Sequence, residues 1–292
     1  MTDKFKIVGI IKKPDLLHNK KLKKKIPYVS LGLFAVILFL CMFCGLFVKN
    51  DPTYMDLYNA EVKPCKEFLF GTDTLGRDIF SMVWYGGRIS LVIGFLSALI
   101  STFIGIIIGT ISAFSPKWID LVIMRFTDIF LSIPSLLLVV LIQAIFGETN
   151  ILSIAILTGI TGWTSISKVV RSEVLVLKHS EYVIAAKCMG AGFLRILFKH
   201  LIPNFISSIM FIAVMNVRNA IVFESTLSFM GLGLPLETIS LGSMLSLSEK
   251  SLISGSWWII LVPGLLLTLT LVLITNIGNY LRQGGTLKHS NL

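Results

Sequence analysis

The chain has 292 residues, 54% of hydrophobic type and 14% charged, with a net charge of +10. A soluble domain carries about 45–50% apolar and about 25% charged residues, so an ordinary soluble enzyme and a disordered chain are excluded. Four cysteines in this length also exclude a disulfide scaffold.

Residues 1–27 form a basic arm. Its nine lysines, Lys4, Lys6, Lys12, Lys13, Lys20, Lys21, Lys23, Lys24 and Lys25, face only Asp3 and Asp15. Basic segments resist translocation, which assigns this end to the cytoplasm. The arm abuts an apolar run, so its charge points to anionic membrane lipid and not to nucleic acid.

A helix needs about 20 apolar residues to cross a hydrocarbon layer about 30 Å thick. Six runs qualify: Tyr28 to Val48, Ile89 to Phe114, Leu121 to Phe146, Ile151 to Val170, Phe205 to Leu232 and Trp257 to Tyr280. The first span, 28–48, is too long in its apolar part for a cleavable signal and stays as an anchor. Its CxxC, Cys41 and Cys44, lacks a nearby His or carboxylate and reads as packing, not as a metal or redox site. The loop 49–88 is extracytoplasmic by this count. It contains Gly71, Asp73, Gly76, Arg77 and Asp78, acid and base alternating around glycines. That pattern reads as a tight hydrogen-bonded turn capping the bundle, with receptor contact as the alternative. It lacks the ligand spacing of an EF-hand.

Residues 89–282 hold the remaining five spans. In the third, Arg125 and Asp128 sit three apart on one helical face and are expected to form a structural ion pair. Pro134 removes a backbone bond and is expected to kink that helix. The loop 171–204 is too long for a plain connector and carries basic residues, which places it in the cytoplasm. Ser180 is its expected N-cap, with Glu181 in the first turn of a helix that ends near Met189. Gly190 and Gly192 allow a left-handed turn before a second helix, Phe193 to His200, stopped by Pro203. The apolar residues Tyr182, Val183, Phe193, Leu194, Leu197 and Phe198 need a surface to bury against, either the chain's own helix ends or a second subunit.

The fifth span contains Arg218 and Glu224, where a lone charge costs at least about 2.5–3.5 kcal/mol. They lie about 240° apart around a helix and should not pair with each other. Each is expected to face a partner subunit, a watery cavity or cargo, and Asn216 and Asn219 add polar surface to the region. Gly231, Gly233 and Pro235 then break the helix, and the segment to Ser256 is expected to dip back or lie along the membrane. The tail, 283–292, returns to the cytoplasm.

The segment EYVIAAKCMGAGFLRILFKHLIPN, Glu181 to Asn204, resembles the EAA loop of ABC-importer permeases. Ala185, Ala186, Gly190 and Pro203 match that pattern; Ile184 stands where it has Glu, and the nearest acid, Glu181, lies three residues upstream. The upstream acid and the His before the apolar pair resemble the variant of peptide and nickel permeases. Four further blocks resemble the same branch: FGTDTLGRDIFSMVWYGGRISL, RFTDIFLSIPSLLLVV, ESTLSFMGLGL and WWIILVPGLLLTLTLVL. The likeness runs from Phe70 to Arg282 and is strongest to the second, C-type permease subunit of dipeptide, oligopeptide and nickel or metal-chelate importers.

The resemblance implies an all-α membrane protein of six transmembrane helices, with type I ABC-importer permease architecture and both termini cytoplasmic. It implies a bacterial plasma-membrane location, a second homologous permease, two cytoplasmic ATPases that bind ATP and Mg, and an extracytoplasmic substrate-binding protein. Glu181, Ala185, Ala186, Gly190 and Pro203 would then couple to the ATPase, the small alanines suiting close approach. Asn216, Arg218, Asn219 and Glu224 would belong to the translocation path, with Arg218 serving either an anionic cargo or a salt bridge to the partner permease. No GxxxxGK[ST] loop occurs in the chain, so the motor, with its nucleotide and metal, is expected elsewhere and this chain is expected to be no enzyme. A self-contained secondary transporter of small polar solutes is the alternative, although no internal repeat is evident. An intramembrane hydrolase is disfavoured because His18, His179, His200 and His289 all fall on cytoplasmic segments.

Overall fold

The computed structural model describes residues 27–48, 50–147, 150–235, 237–248, 251 and 255–285. The lysines of the arm and the end of the tail lie outside the described residues. The chain is helical: α1 Tyr28–Met42, α2 Cys44–Phe47, α3 Ile79–Phe114, α4 Lys117–Ser132, α5 Ser135–Phe146 and α6 Ile151–Leu177 come first. They are followed by α7 Glu181–Cys188, α8 Phe193–Ile196, α9 Ile202–Phe229, α10 Leu241–Leu247 and α11 Trp258–Gly285. Among the described residues, four helices are long and apolar enough to cross a membrane, and a fifth crossing arises if α4 and α5 count as one broken span. The apolar α1, with 15 residues, reaches only about 22 Å at 1.5 Å per residue.

The bundle is built on α3, which packs along α6 and against α9, while α11 packs mainly on α9 and also on α3, and α1 rests on both α11 and α3. Close approach of α3 and α6 depends on glycine. A Cβ at Gly105 would come within 2.6 Å of Ile166, and one at Gly109 within 2.5 Å of the Ser167 carbonyl oxygen. Small residues at helix contacts let backbones come together in a membrane, where no water is released to drive association. Ile166, Val170, Val174, Leu201, Phe205 and Ile209 form the core where α6 and α9 meet the α7–α8 hairpin. Cys41 and Cys44 are fully buried, as packing requires.

Three boundaries differ from the sequence expectation. The second span begins at Ile79, not Ile89, because Asp78 caps it by accepting hydrogen bonds from the backbone of Phe80 and Ser81. Gly86 and Gly87, which interrupt the apolar run, sit inside the helix where Ser240–Leu241 and Cys41 press against it. The third span is broken and not merely kinked: α4 and α5 meet at 93°. A residue before proline is pushed out of the α region, and Ile133 (φ −86°, ψ 129°) and Pro134 (φ −53°, ψ 123°) are both extended. Pro203 does not stop the second helix of the hairpin. The chain runs helically from Phe193 to Phe229 through a π-helical turn, Leu197–Leu201. Pro203 falls in the first turn after that wider coil, where its missing N–H costs little.

Beyond α9, Gly231 (φ +76°) turns the chain back, and α10 packs against α9, α11 and α3 with Leu241, Gly242, Ser243 and Met244 buried. Residues 241–247 thus fold back onto the bundle as a short helix.

Candidate functional site

The break between α4 and α5 opens a cleft of about 300 Å³ against α6 and α9. Thr158, Thr161, Thr164 and Ser165 of α6 line it together with Asn216 and Asn219 of α9. Ser97 of α3 and Ser135 of α5 complete its polar wall, while Phe130, Leu138 and Phe223 supply apolar surface. Among the described lining residues none is charged. Asn216 is fixed, donating to Ser101 Oγ at 3.0 Å and to the Gly162 carbonyl at 3.1 Å. Thr158 and Thr161 donate to carbonyls of their own helix, which leaves their oxygens facing the cleft as acceptors. The elbow adds backbone groups: α4 ends at Ile133 without a capping bond and α5 begins at Pro134 without a side-chain cap. An unpaired backbone group in hydrocarbon costs several kcal/mol, so irregular backbone at membrane depth is tolerated where it lines a watery or ligand-filled cavity.

The four polar residues expected together on α9 separate into three environments. Asn216 and Asn219, three apart, share the cleft face. Arg218, half-buried, lies in a different groove with Thr268, Leu271 and Thr275 of α11, and no carboxylate pairs with it among the described residues. Glu224 faces neither groove. It is fully buried and accepts hydrogen bonds from Ser90 and Ser228 at 3.0 Å each, which corrects the expectation that it faces a partner, a cavity or cargo.

The expected pair of Arg125 and Asp128 is long, 4.0 Å, between exposed side chains. Asp128 instead binds Lys168 of α6 at 2.6 Å, and Asp120 binds Arg171 through two hydrogen bonds. Both pairs clip α4 to α6, and neither is visible in local spacing because the partners lie 40 and 51 residues apart.

In the hairpin, Ser180 takes the N-cap position but its hydroxyl donates back to Leu177 instead of capping α7. Gly190 has the left-handed conformation (φ +80°) and Gly192 does not. Val183, Ala186, Ile196 and Leu197 are buried against the chain's own core, whereas Ile184, Met189, Leu194 and Phe198 are exposed. Ala185 is exposed and Ala186 is not, so the expected close approach of Ala186 to a partner is replaced by packing within the chain. Glu181 and Gly190 are exposed beside the apolar face.

At the other end of α3, the 71–78 segment forms the expected knot. Arg77 and Asp73 make a buried ion pair at 2.6 Å, and the Asp73 carboxylate also accepts from the Leu75 and Arg77 backbone. Gly71 and Gly76 have positive φ, and the Gly76 α-carbon lies so close to the Asp56 carbonyl that no side chain fits. Among the described residues no group of three or more His, Cys, Asp or Glu could hold a metal ion.

Residues 101–284 match the family model described as binding-protein-dependent transport system inner membrane component. The chain is 39% identical over 233 residues to the oligopeptide transport system permease protein OppC of Bacillus subtilis (strain 168), covering 80% of this chain and 76% of that one. It is 34% identical over 279 residues to the dipeptide transport system permease protein DppC of the same organism, covering 94% and 87%. The di/tripeptide transport system permease protein DppC of Pseudomonas aeruginosa (strain UCBPP-PA14) is 37% identical over 237 residues, 81% and 76% of the two chains. Among solved structures, an inward-facing MetNI methionine ABC transporter aligns with a TM-score of 0.55 over 70% of this chain and 96% of that one; at 18% identity this shows likeness of fold.

Proposed function

We propose, for a chain that belongs to the family of binding-protein-dependent transport system inner membrane components, that it forms one half of the path of an ATP-driven peptide importer. It is a multi-pass permease of the bacterial plasma membrane, and its curated relatives are permeases for oligopeptides and dipeptides. The second half of the path comes from a homologous permease, the motor from two cytoplasmic ATPases that bind ATP and Mg, and cargo delivery from an extracytoplasmic binding protein. With α1 and the α4–α5 pair each read as a crossing, the described helices support a six-span reading in which both termini lie in the cytoplasm. The basic residues of 171–204 then fall on the cytoplasmic side.

The observation that carries this reading is the two-sided α7–α8 hairpin. One face is locked into the core by Val183, Ala186, Ile196 and Leu197, while the other holds Ile184, Met189, Leu194 and Phe198 in the open. An exposed apolar face outside the spans marks a protein contact. The ATPase docks there, with Glu181, Ala185 and Gly190 at its margin, and Ala186 and Pro203 transmit its motion by seating the hairpin on α9. Asn216 and Asn219 belong to the path; Arg218 meets an anionic group of cargo or of the partner permease.

The test is uptake of radiolabelled trialanine by cells with and without the gene for this chain, paired with cross-linking from a cysteine at Met189. Loss of uptake on deletion and capture of an ATPase from Met189→Cys are expected. Unchanged uptake, or cross-links confined to this polypeptide, would sink the reading.

A further inference from the structure

We propose that the cleft at the α4–α5 elbow is a binding station for the peptide backbone, reading amide groups and ignoring side-chain charge. The inference rests on the peptide-importer reading and adds to it a site and the chemical group recognised there.

Two residues lining the cleft, Ser97 (2% exposed) and Thr164 (4% exposed), make no side-chain hydrogen bond to another described residue, and the little surface their hydroxyls keep opens into the cleft. Hydroxyls without a protein partner that open into one small cleft are satisfied by water or by a polar occupant that displaces it. The two belong to different helices, α3 and α6, and converge on one space with the amide of Asn219 from α9.

The chemistry of the wall selects the occupant. Hydroxyls and carboxamides both donate and accept, as a peptide unit does, and Asn219 can meet an N–H and a C=O together. The lining residues are without charge, so a free carboxylate or ammonium entering the cleft would lose its hydration and gain no counter-charge. The two uncapped helix ends supply the same pairing in backbone form: carbonyls from the last turn of α4 and N–H groups from the first turn of α5. A volume of about 300 Å³ admits a stretch of two or three residues. Arg218, in its separate groove, takes no part. A station of this kind suits a transporter of peptides differing in side chain, since the backbone amide is what they share.

The test compares two probes in the assembled importer reconstituted with its own partner subunits: tetraalanine, and the analogue in which an ester replaces the central amide. Any preference of the binding protein is common to all permease variants, so the ratio of the two uptake rates isolates the permease. Thr164→Val and Asn219→Leu are expected to slow tetraalanine uptake by about three- to tenfold, the worth of one hydrogen bond. Ester uptake should fall less, because the contact to the N–H is already missing from the ester while its carbonyl still accepts, pulling the amide-to-ester ratio toward one, and Thr164→Ser should restore the ratio. An unchanged ratio, or equal losses for both probes, overturns the proposal.

A second measurement stands apart from transport. With exposed Cys65 and Cys188 replaced by serine, a cysteine at Ser165 is labelled by maleimide in the detergent-purified complex. Protection by tetraalanine and not by the ester supports the station even if uptake shows the chain to serve another importer. Equal protection by both, or none, overturns it.

Discussion

The carboxyl group of Glu224 on α9 accepts a hydrogen bond at 3.0 Å from the hydroxyl of Ser90 on α3, across 134 residues of sequence. Ser90 in turn accepts from the backbone N–H of Leu241, the first residue of α10, at 3.4 Å. One side chain therefore ties α3 and α9 to α10, and the glycines around it show how close the packing is. A Cβ on Gly242 would lie 2.5 Å from the Ser225 α-carbon.

Glu224→Gln keeps an acceptor oxygen for one of Ser90 and Ser228 and offers an N–H to the hydroxyl oxygen of the other, whereas Glu224→Ala leaves both hydroxyls without this partner, at about 1–3 kcal/mol each. Thermal unfolding of the detergent-purified protein should show a clearly larger loss for Ala than for Gln. Equal melting of the two variants would mean that the carboxyl is not what holds this junction.

The Asp73–Arg77 pair is buried on both sides, with side-chain exposures of 7% and 3%. Removing one partner strands the other charge, a loss of about 3–5 kcal/mol. Arg77→Ala should therefore lower the amount of folded protein in the membrane far more than Arg125→Ala, whose guanidinium is 81% exposed. Comparable yields of the two variants would contradict this.

Gly76 and Gly190 both have positive φ, +74° and +80°, but differ in space. An alanine at Gly190 meets nothing within 4 Å and should cost only the backbone term, about 1 kcal/mol. At Gly76 the added carbon would overlap the Asp56 carbonyl, so the 50–78 segment must shift as well. Limited proteolysis of that segment should accelerate in Gly76→Ala and stay unchanged in Gly190→Ala.

In the hairpin, Met189→Asp alters an exposed side chain (81%) and should leave melting unchanged while uptake falls severalfold. Ala186→Asp places a charge in a buried position (4% exposed) and should destabilise the protein itself. Parallel melting curves and uptake assays separate the two; a Met189→Asp variant that unfolds would argue against an exposed docking face.

The apolar runs and the residues that break them were legible in the sequence because each acts locally. Gly190 as a left-handed turn and Gly231 as the end of α9 depend on a few neighbouring residues, whereas the role of Asp78 as the cap of α3 was missed because Gly86 and Gly87 interrupt the apolar run. The 71–78 knot was legible for the same reason, since Asp73 and Arg77 lie one helical turn apart in number. The broken third span was only half legible. Pro134 announces a disturbance, but whether a helix bends slightly or turns through 93° depends on the space that α6 and α9 leave beside it.

What the sequence determined by itself was the solvent of this protein: runs of apolar residues long enough for hydrocarbon, and lysine-rich segments that a membrane holds on one side. The tertiary structure decided where each polar residue on those runs points. Asn219, Arg218 and Glu224 sit within two turns of one helix, yet one meets a cleft, one a groove and one a buried cluster. A helix turns about 100° per residue, and the neighbour each side chain meets comes from distant parts of the chain. Pairings such as Glu224 with Ser90 or Asp128 with Lys168 arise when the helices pack, so spacing along the chain carries no record of them.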